Sequence, residues 1–518
     1  MKKEIWKETF TEAMSLLEDD TIRRMEDVVA EQRNAERAGD RKATRKKAPV
    51  GIWKKAVSWV AAAAVLLLGI FGATQVFPRI AGTLTGEGTS AVWTPGGQGA
   101  AVVLARAEYP EQVKVTEKLD SIGMEAHTKT RAERLSLAKT YAGDLSGFYR
   151  ECLTTLVAEA PEENVIASPA NLFLSLSMLA ECAGGQTRQQ ILDVLGKENI
   201  QTLRELSHSF WLANYRDDGT ATSRLANSVW LNCGFSVNPE VLETLKNLYY
   251  ASAFEGEMGS EAYNELLRRW LNEETGNLLA ESVKDLGFEN TELLSLISTI
   301  YYESKWTTAF DPARTTAGVF HGTKGDSEAL FLHSNNSESC YFGESFTALA
   351  LPLGDGDTMW LLLPDEGTDA KSLAADEEAL SLLTAAGDWA ALHEKWEGKR
   401  TYSTVHLALP KFDLTMEKDL ADALKSLGIT DAFSPENADF TGFVDTEQNV
   451  YVSKVQNNLR VTVDEEGVSA ASLIKVALDG AAMPEGDVYM TLDRPFLYGI
   501  TSDTGALLFA GVVEQMGE

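Results

Sequence analysis

Few residues in this 518-residue chain can do chemistry, and they do not cluster. The six histidines are His127, His208, His321, His333, His393 and His406. None belongs to an HExxH pair, because His393-Glu394 lacks a second histidine at helical spacing. There is no GxSxG elbow and no P-loop. Gly354-Asp355-Gly356 reads as a turn between strands. The four cysteines, Cys152, Cys182, Cys233 and Cys340, form neither a CxxC pair nor a Cys/His cluster. Buried thiols are the plain expectation, with a disulfide left open. No metal or other cofactor is implied, and an enzyme has no supporting constellation.

A different capacity resides in the stretch that begins Glu465, Glu466, Gly467, Val468, Ser469, Ala470, Ala471 and Ser472. A strand presents alternate side chains to opposite faces. From Val468 one set is Val468, Ala470, Ser472, Ile474, Val476 and Leu478, all small or apolar. The other includes the charged Lys475 and Asp479. That is the alternation of a half-buried strand. Asp479-Gly480 and Pro484-Glu485-Gly486 then break it as a loop would.

Elements able to carry such a loop are legible upstream. Asn164-Val165-Ile166-Ala167-Ser168-Pro169 opens a segment whose Leu172, Leu174, Leu176, Met178 and Leu179 predict a buried helix ended by Gly184-Gly185. Thr187, with Gln190 three residues on, predicts a capping box for the next helix.

The wording of these stretches resembles the serpin family, and its other motifs follow in order. The hinge of the family's reactive loop resembles Glu465 to Ser472, and Asp493-Arg494-Pro495-Phe496-Leu497-Tyr498 resembles the strand after that loop. Leu225 to Trp230 is similar to a central strand, and Trp270 to Thr275 to the helix lying across the main sheet. Ile300 to Trp306 is similar to the strand whose tryptophan lies near the insertion point. Leu361 to Pro364 and Leu409 to Leu414 also fit, so the likeness spans about residues 137 to 517. It implies an α+β serpin fold with three β-sheets, eight to nine helices and an exposed reactive loop. It also implies a protein that traps a serine protease as a suicide substrate. The alternative is a non-inhibitory member acting as a binding or adhesion module.

The resemblance assigns further residues. Ser168, Asn171, Ser298, Trp306 and Asn457 would form the polar cluster and breach under the main sheet. Ser168 keeps the family's residue, while Asn457 stands for a histidine, Ser298 for an asparagine and Asn171 for a serine. Val468 stands where inhibitory members carry Thr or Ser, and Leu473 where they carry a small residue. Counting from the hinge places the residue before the cut at Ala481. Counting back from Phe496 places it at Pro484, a poor residue in a protease cleft. The reactive site is therefore Ala481, Ala482 and Met483, cut at Ala481–Ala482 or Ala482–Met483. Small apolar residues there suit an elastase-like or subtilisin-like enzyme.

Charge and hydropathy set the location. Residues 1–55 carry a net +3 and the remainder a net −34, which argues against nucleic-acid binding. From Ala56 to Ala73 the chain has 18 residues without a charge, and the apolar run reaches Phe77. That is long enough to cross a bilayer. Arg41, Lys42, Arg45, Lys46, Lys47, Lys54 and Lys55 precede it, and Arg79 alone follows closely. The positive-inside rule then puts the N-terminus in the cytoplasm. The expected organisation is a cytoplasmic helical, basic segment (1–55), one transmembrane helix (56–77), a flexible tether and extension (78–136) and a serpin domain (137–518). The tether, residues 78–100, would span roughly 25 Å. Val102 to Leu104 and Val113 to Val115 are expected as short strands on the main domain. The whole is similar to a bacterial, membrane-anchored family member: a monomer, single-pass in the cell membrane, facing an extracellular serine protease.

Overall fold

A computed structural model describes residues 92–93, 101–112, 114, 121–141, 143–160, 163–219, 221–385, 389–446, 449–468 and 484–517. The segments expected to be cytoplasmic (1–55) and membrane-spanning (56–77) and most of the expected tether lie outside them, as do Ser469 to Met483. None of the described helices is long and apolar enough to cross a membrane.

Ten strands matter for the site. In chain order they are β1 (Ala101–Ala105), β2 (Ala221–Asn232), β3 (Ala251–Gly256), β4 (Leu294–Lys305), β5 (Gly325–Phe342), β6 (Arg400–Pro410), β7 (Phe412–Asp419), β8 (Gln456–Val463), β9 (Gly467–Val468) and β10 (Asp487–Thr491). The first sheet runs Val92–Trp93, β1, β3, β2, β4, β9, β8, β7. The second begins β10, β6, β5 and continues through Phe346–Pro352, Thr358–Pro364, Phe496–Thr501 and Leu507–Val513 to Val165–Ala167. A two-stranded sheet makes the third. The expected three sheets are present, and the described residues contain ten α-helices. The first, α1 (Ser121–Ala138), crosses the boundary expected at residue 137.

Three more helices bear on the site. These are α2 (Pro169–Cys182), α3 (Ile200–Asn214) and α4 (Glu261–Glu274). In α2 all residues but Ser175 are buried. It is apolar nearly all round because it lies between the sheets. Ser168 caps it, accepting the Asn171 amide at 3.4 Å. In α4 only one stripe is buried, Tyr263, Leu266, Leu267, Trp270 and Leu271, the signature of a helix resting on a sheet. Trp270 meets the ring of Trp230 on β2 edge-on at 6.2 Å.

The capping box predicted at Thr187 and Gln190 is not there. The helix starts at Gly185, two residues earlier. Thr187 Oγ1 accepts the Asp439 amide at 3.0 Å, and Gln190 Oε1 accepts the amides of Thr430 and Asp431 at 2.9 Å each. The 430–439 segment packs on this helix end and claims both side chains.

The extension before the main body is built into it. The strand expected at Val102 to Leu104 is β1, paired antiparallel to β3. The second expected strand is absent at Lys114, whose ammonium instead pairs with Asp217. Tyr109 stacks on Trp211 at 5.8 Å, and Arg131 and Arg134 of α1 both reach the buried Asp503 carboxylate. The cysteines are unpaired; Cys152, Cys182 and Cys340 are buried, and Cys233 is exposed.

Candidate functional site

The site begins where β8 ends. Asp464 Oδ1 accepts the amides of Glu466 and Gly467, at 2.8 and 3.2 Å, and so turns the chain back. The returning residues form β9. Val468 pairs with Val463 on one side and with Ser304 on the other, while Gly467 pairs with Lys305. This tight hairpin is, among the described residues, the only strand between β4 and β8. Among the described residues no pairing joins those two strands lower down.

Each residue of the turn is fixed by a partner. The Trp306 indole donates to the Asp464 carbonyl at 2.8 Å, and its amide to the Glu466 carbonyl at 3.1 Å. The Phe310 amide donates to the Glu465 carbonyl at 2.9 Å. The Glu465 carboxylate accepts from Thr315 Oγ1 and from the Lys411 ammonium. Burial raises the Glu465 carboxyl, but Lys411 and Thr315 outweigh it and hold it below its ordinary value. Glu466 reaches Lys305 at 3.6 Å and stays largely in solvent. Gly467 has no room for a side chain, since a Cβ there would stand 2.3 Å from the Ser304 carbonyl oxygen.

Below Val468 the two flanking strands present an apolar floor. Val468 is 3% exposed. On its face follow Tyr302 and Ile300 of β4, and Val463, Val461 and Leu459 of β8, all buried. Over the opposite face of β4 lies a cavity beneath α4, lined by Leu267, Leu271, Ile297, Thr299 and Lys454.

Of the residues expected in the polar cluster, Ser168, Asn171 and Ser298 come together beneath the sheet, joined by Asn227, while Trp306 serves the hairpin turn. Ser168 Oγ donates to the Leu508 carbonyl at 2.6 Å. Asn171 Nδ2 donates to the Ser298 carbonyl at 3.1 Å, and Ser298 Oγ donates to Asn227 Oδ1. Asn227 Nδ2 in turn donates to the Tyr249 carbonyl at 2.7 Å. Asn227 was missed in the sequence. Its signal was an amide in the middle of an apolar central strand, which needs partners once buried. Asn457 stands on β8 opposite Lys418, and its side chain lies outside what is described.

The direction of the Ser298 carbonyl matters. The Trp306 amide points at the hairpin, and along a strand every second residue directs its backbone groups to the same side. Ser298 therefore aims its carbonyl at the open edge of β4. Ile297 agrees, since its carbonyl takes the Ser228 hydroxyl on the β2 side. The Asn171 amide thus occupies an acceptor that an added strand would use.

Of the hinge, Ser469, Ala470, Ala471 and Ser472 lie outside the described residues, and so do Ala481, Ala482 and Met483. The chain resumes at Pro484 on the far sheet. The Glu485 amide donates to the Tyr402 carbonyl at 2.8 Å, and the Thr404 amide donates to the Gly486 carbonyl at 2.9 Å. The intervening segment is therefore held at both ends, by one sheet at Val468 and the other at Glu485.

The seating of β9 can be broken at one position. Gly467→Ala should force the hairpin out of the sheet, because the obstructing atoms are backbone and cannot rotate away. Overpacking of this kind costs about 1–3 kcal/mol. The thermal midpoint should fall by several degrees and Trp306 fluorescence should shift towards solvent. A midpoint and spectrum identical to the parent's would show that β9 does not hold the sheet.

A sequence profile of the Serpin (serine protease inhibitor) family matches residues 145–516. Human neuroserpin is 28% identical over 369 residues, covering 69% of this chain and 87% of that protein. Serpin-Z2B of Triticum aestivum is 28% identical over 380 residues, covering 70% and 93%. In structure the chain is similar to the thermophilic serpin tengpin in its native state, with a TM-score of 0.64 and 22% identity over 80% of this chain and all of that one. The matched region holds the hairpin, the edge of β4 beside it and the loop's anchor, and the chain belongs to the serpin family, whose members are generally protease inhibitors and not enzymes.

Proposed function

We propose that this chain is a membrane-anchored serpin. In this reading it traps a serine protease outside the cytoplasm by inserting its cut loop between β4 and β8. One observation carries the reading: the loop's first two residues are already a strand there, in register, above an edge that no described residue pairs. Continuing that register would put Ala470 beside Tyr302, Ser472 beside Ile300, Ile474 beside Ser298, Val476 beside Leu296 and Leu478 beside Leu294. All would face the apolar floor. Leu473 would fall beside Thr299 and enter the cavity under α4, where an apolar side chain is welcome.

The protease serine would attack the carbonyl of Ala481 or Ala482. An ester to the protease would form, and the following residue would leave as a new amino terminus. Freed at that end, the loop zips downward and carries the acylated enzyme with it. Val468 is already seated, so Ile474, Val476 and Leu478 remain to be buried. At about 1.5–3 kcal/mol each they would contribute roughly 5–9 kcal/mol. Ordering of the backbone subtracts from this upper figure.

Location follows from the basic residues between Arg41 and Lys55 ahead of the apolar run, which support a cytoplasmic N-terminus and a single span. The acidic remainder supports a protein partner over nucleic acid. We take the working unit to be a monomer. Protease added to intact cells should cut at or beyond the tether and spare residues 1–50. Protection of the outer part would reverse the orientation.

Cutting the loop between Leu478 and Gly486 should raise the thermal midpoint by tens of degrees, because the insertion energy is comparable to a domain's whole net stability. An unchanged midpoint would favour the non-inhibitory, binding-module reading. Ala470→Arg should abolish SDS-resistant complexes while leaving cleavage intact, since a charge would have to enter the floor between Tyr302 and Val461. Retained complex formation would exclude the proposed register.

The scissile bond is open to direct measurement. Incubation with elastase-like and subtilisin-like enzymes should release a C-terminal peptide beginning at Ala482 or Met483, read by mass spectrometry. A peptide beginning at Val476, in a productive complex with a trypsin-like enzyme, would overturn the assignment.

A further inference from the structure

The second sheet ends at the edge strand β10, which pairs only with β6. Its residues alternate. Met490 is buried, whereas Asp487, Tyr489 and Thr491 face solvent. Tyr489 is 78% exposed, more than any other large apolar side chain among the described residues. A single exposed tyrosine is ordinary. This one is unusual in being held. Its ring stacks on that of His406, directly opposite on β6, with centroids 4.5 Å apart and planes 12° from parallel. His406 is held in turn by Asp487, with Nε2 3.2 Å from Oδ1. An aromatic ring ordered before contact loses little freedom on being covered, which is why such residues anchor interfaces.

Position supplies the occupant. Tyr489 lies seven residues after Ala482 and eight after Ala481, so it is at most roughly 23–29 Å from the attacked residue along the fully extended chain. The shortest path is less, because Glu485 and Gly486 are pinned to β6. A protease of about 250 residues has a radius of gyration of about 18 Å and so a body radius of roughly 23 Å. A protease centred on Ala481 or Ala482 therefore overlies this edge. Asp487, held against His406, and the exposed Glu485, four residues before the tyrosine, bring two carboxylates to this edge.

We infer that the Tyr489 ring, braced on His406 and flanked by Glu485 and Asp487, is a second docking contact for the captured serine protease. It selects enzymes whose rim beside the cleft carries Lys or Arg next to an apolar surface. A guanidinium can lie on the tyrosine face while the carboxylates answer its charge. The contact sets how fast the protease is captured. The loop sets what happens after attack. This inference rests on the trapping reading, and the two can fail separately.

The test uses the full chain in detergent with a subtilisin and a pancreatic elastase. The readouts are the second-order rate of SDS-resistant complex formation and the fraction of cut chains that end in complex. Tyr489→Ala should slow capture about tenfold or more, as loss of an interface anchor does. The fraction trapped should not change, and Tyr489→Phe should retain most of the rate. His406→Ala should slow capture less than Tyr489→Ala. An unaltered thermal midpoint for Tyr489→Ala would show that the fold is intact. Capture by Tyr489→Ala at the parent rate would overturn the inference. So would loss of a dimer on substitution, which would make a second copy of the chain the occupant. Should the parent trap neither enzyme, non-covalent binding of a subtilisin whose catalytic serine is alanine still decides the matter. Tighter binding to the parent than to Tyr489→Ala supports the contact even if trapping fails, and equal binding excludes it.

Discussion

Two residues of backbone pairing, Gly467 and Val468, stand between one sheet and two half-sheets. On one side of them lie β4, β2, β3 and β1; on the other lie β8 and β7. The hairpin fits because Gly467 lets its backbone approach that of Ser304, because Asp464 turns the chain, and because Trp306 fastens the turn from outside. Among the described residues the hairpin pairs only the top of this gap. It meets the pairing needs of the sheet's top and leaves the β4 edge below to side chains. An unpaired backbone edge beside an apolar floor is costly. In the proposed mechanism the sequence that would cover both continues from Val468, and the tie at Glu485 would keep it from descending until the loop is cut.

The two half-sheets are braced unequally. The β4 side is tied into a buried charged cluster. Tyr302 donates to Asp357 at 2.9 Å, and Asp357 pairs with Arg216 at 3.1 Å. Arg131 and Arg134 bring α1 to Asp503 beside it. Burial lifts the Asp357 carboxyl to about 6, although Arg216 pulls it down. Such clusters stabilise little on balance, but breaking one partner leaves a buried charge alone. The N-terminal extension thus makes this half stiff. Among the described residues the half formed by β8 and β7 shares backbone pairing with β4 only through the hairpin. An opening sheet would part along that seam, with β4 staying in place.

Much of this was legible in the sequence because its signals are local. Alternation from Val468 gave the face that Val468 occupies, and the apolar run after Ser168 gave α2. The tryptophan at the end of β4 lies where the family pattern put it. What stayed hidden depends on chain segments far apart. Thr187 and Gln190 have the spacing of a capping box, yet residues 430–439 claim both side chains. The β1 strand was legible in Val102 to Leu104, but α1 has a weak apolar stripe and is held by charges instead, so periodicity could not show it. Gly467 reads as a generic hinge glycine. Only the structure shows that the β4 backbone excludes a side chain there.

Asn171 illustrates how a swapped residue can preserve a function through geometry. Its amide reaches up from α2 to the Ser298 carbonyl on the open edge of β4. A backbone acceptor buried without a partner costs about 1–3 kcal/mol, so this bond stabilises the unfilled sheet. A strand arriving at Ile474 would bring an amide for the same carbonyl, and Asn171 would then be redundant there. Its Oδ1 is buried and unpartnered in the present state, so the residue is only half satisfied. The cluster therefore favours the open sheet by a small amount and yields when a strand arrives. In the proposed mechanism a barrier built this way would let a cut loop pass and would keep out an intact loop tied at both ends.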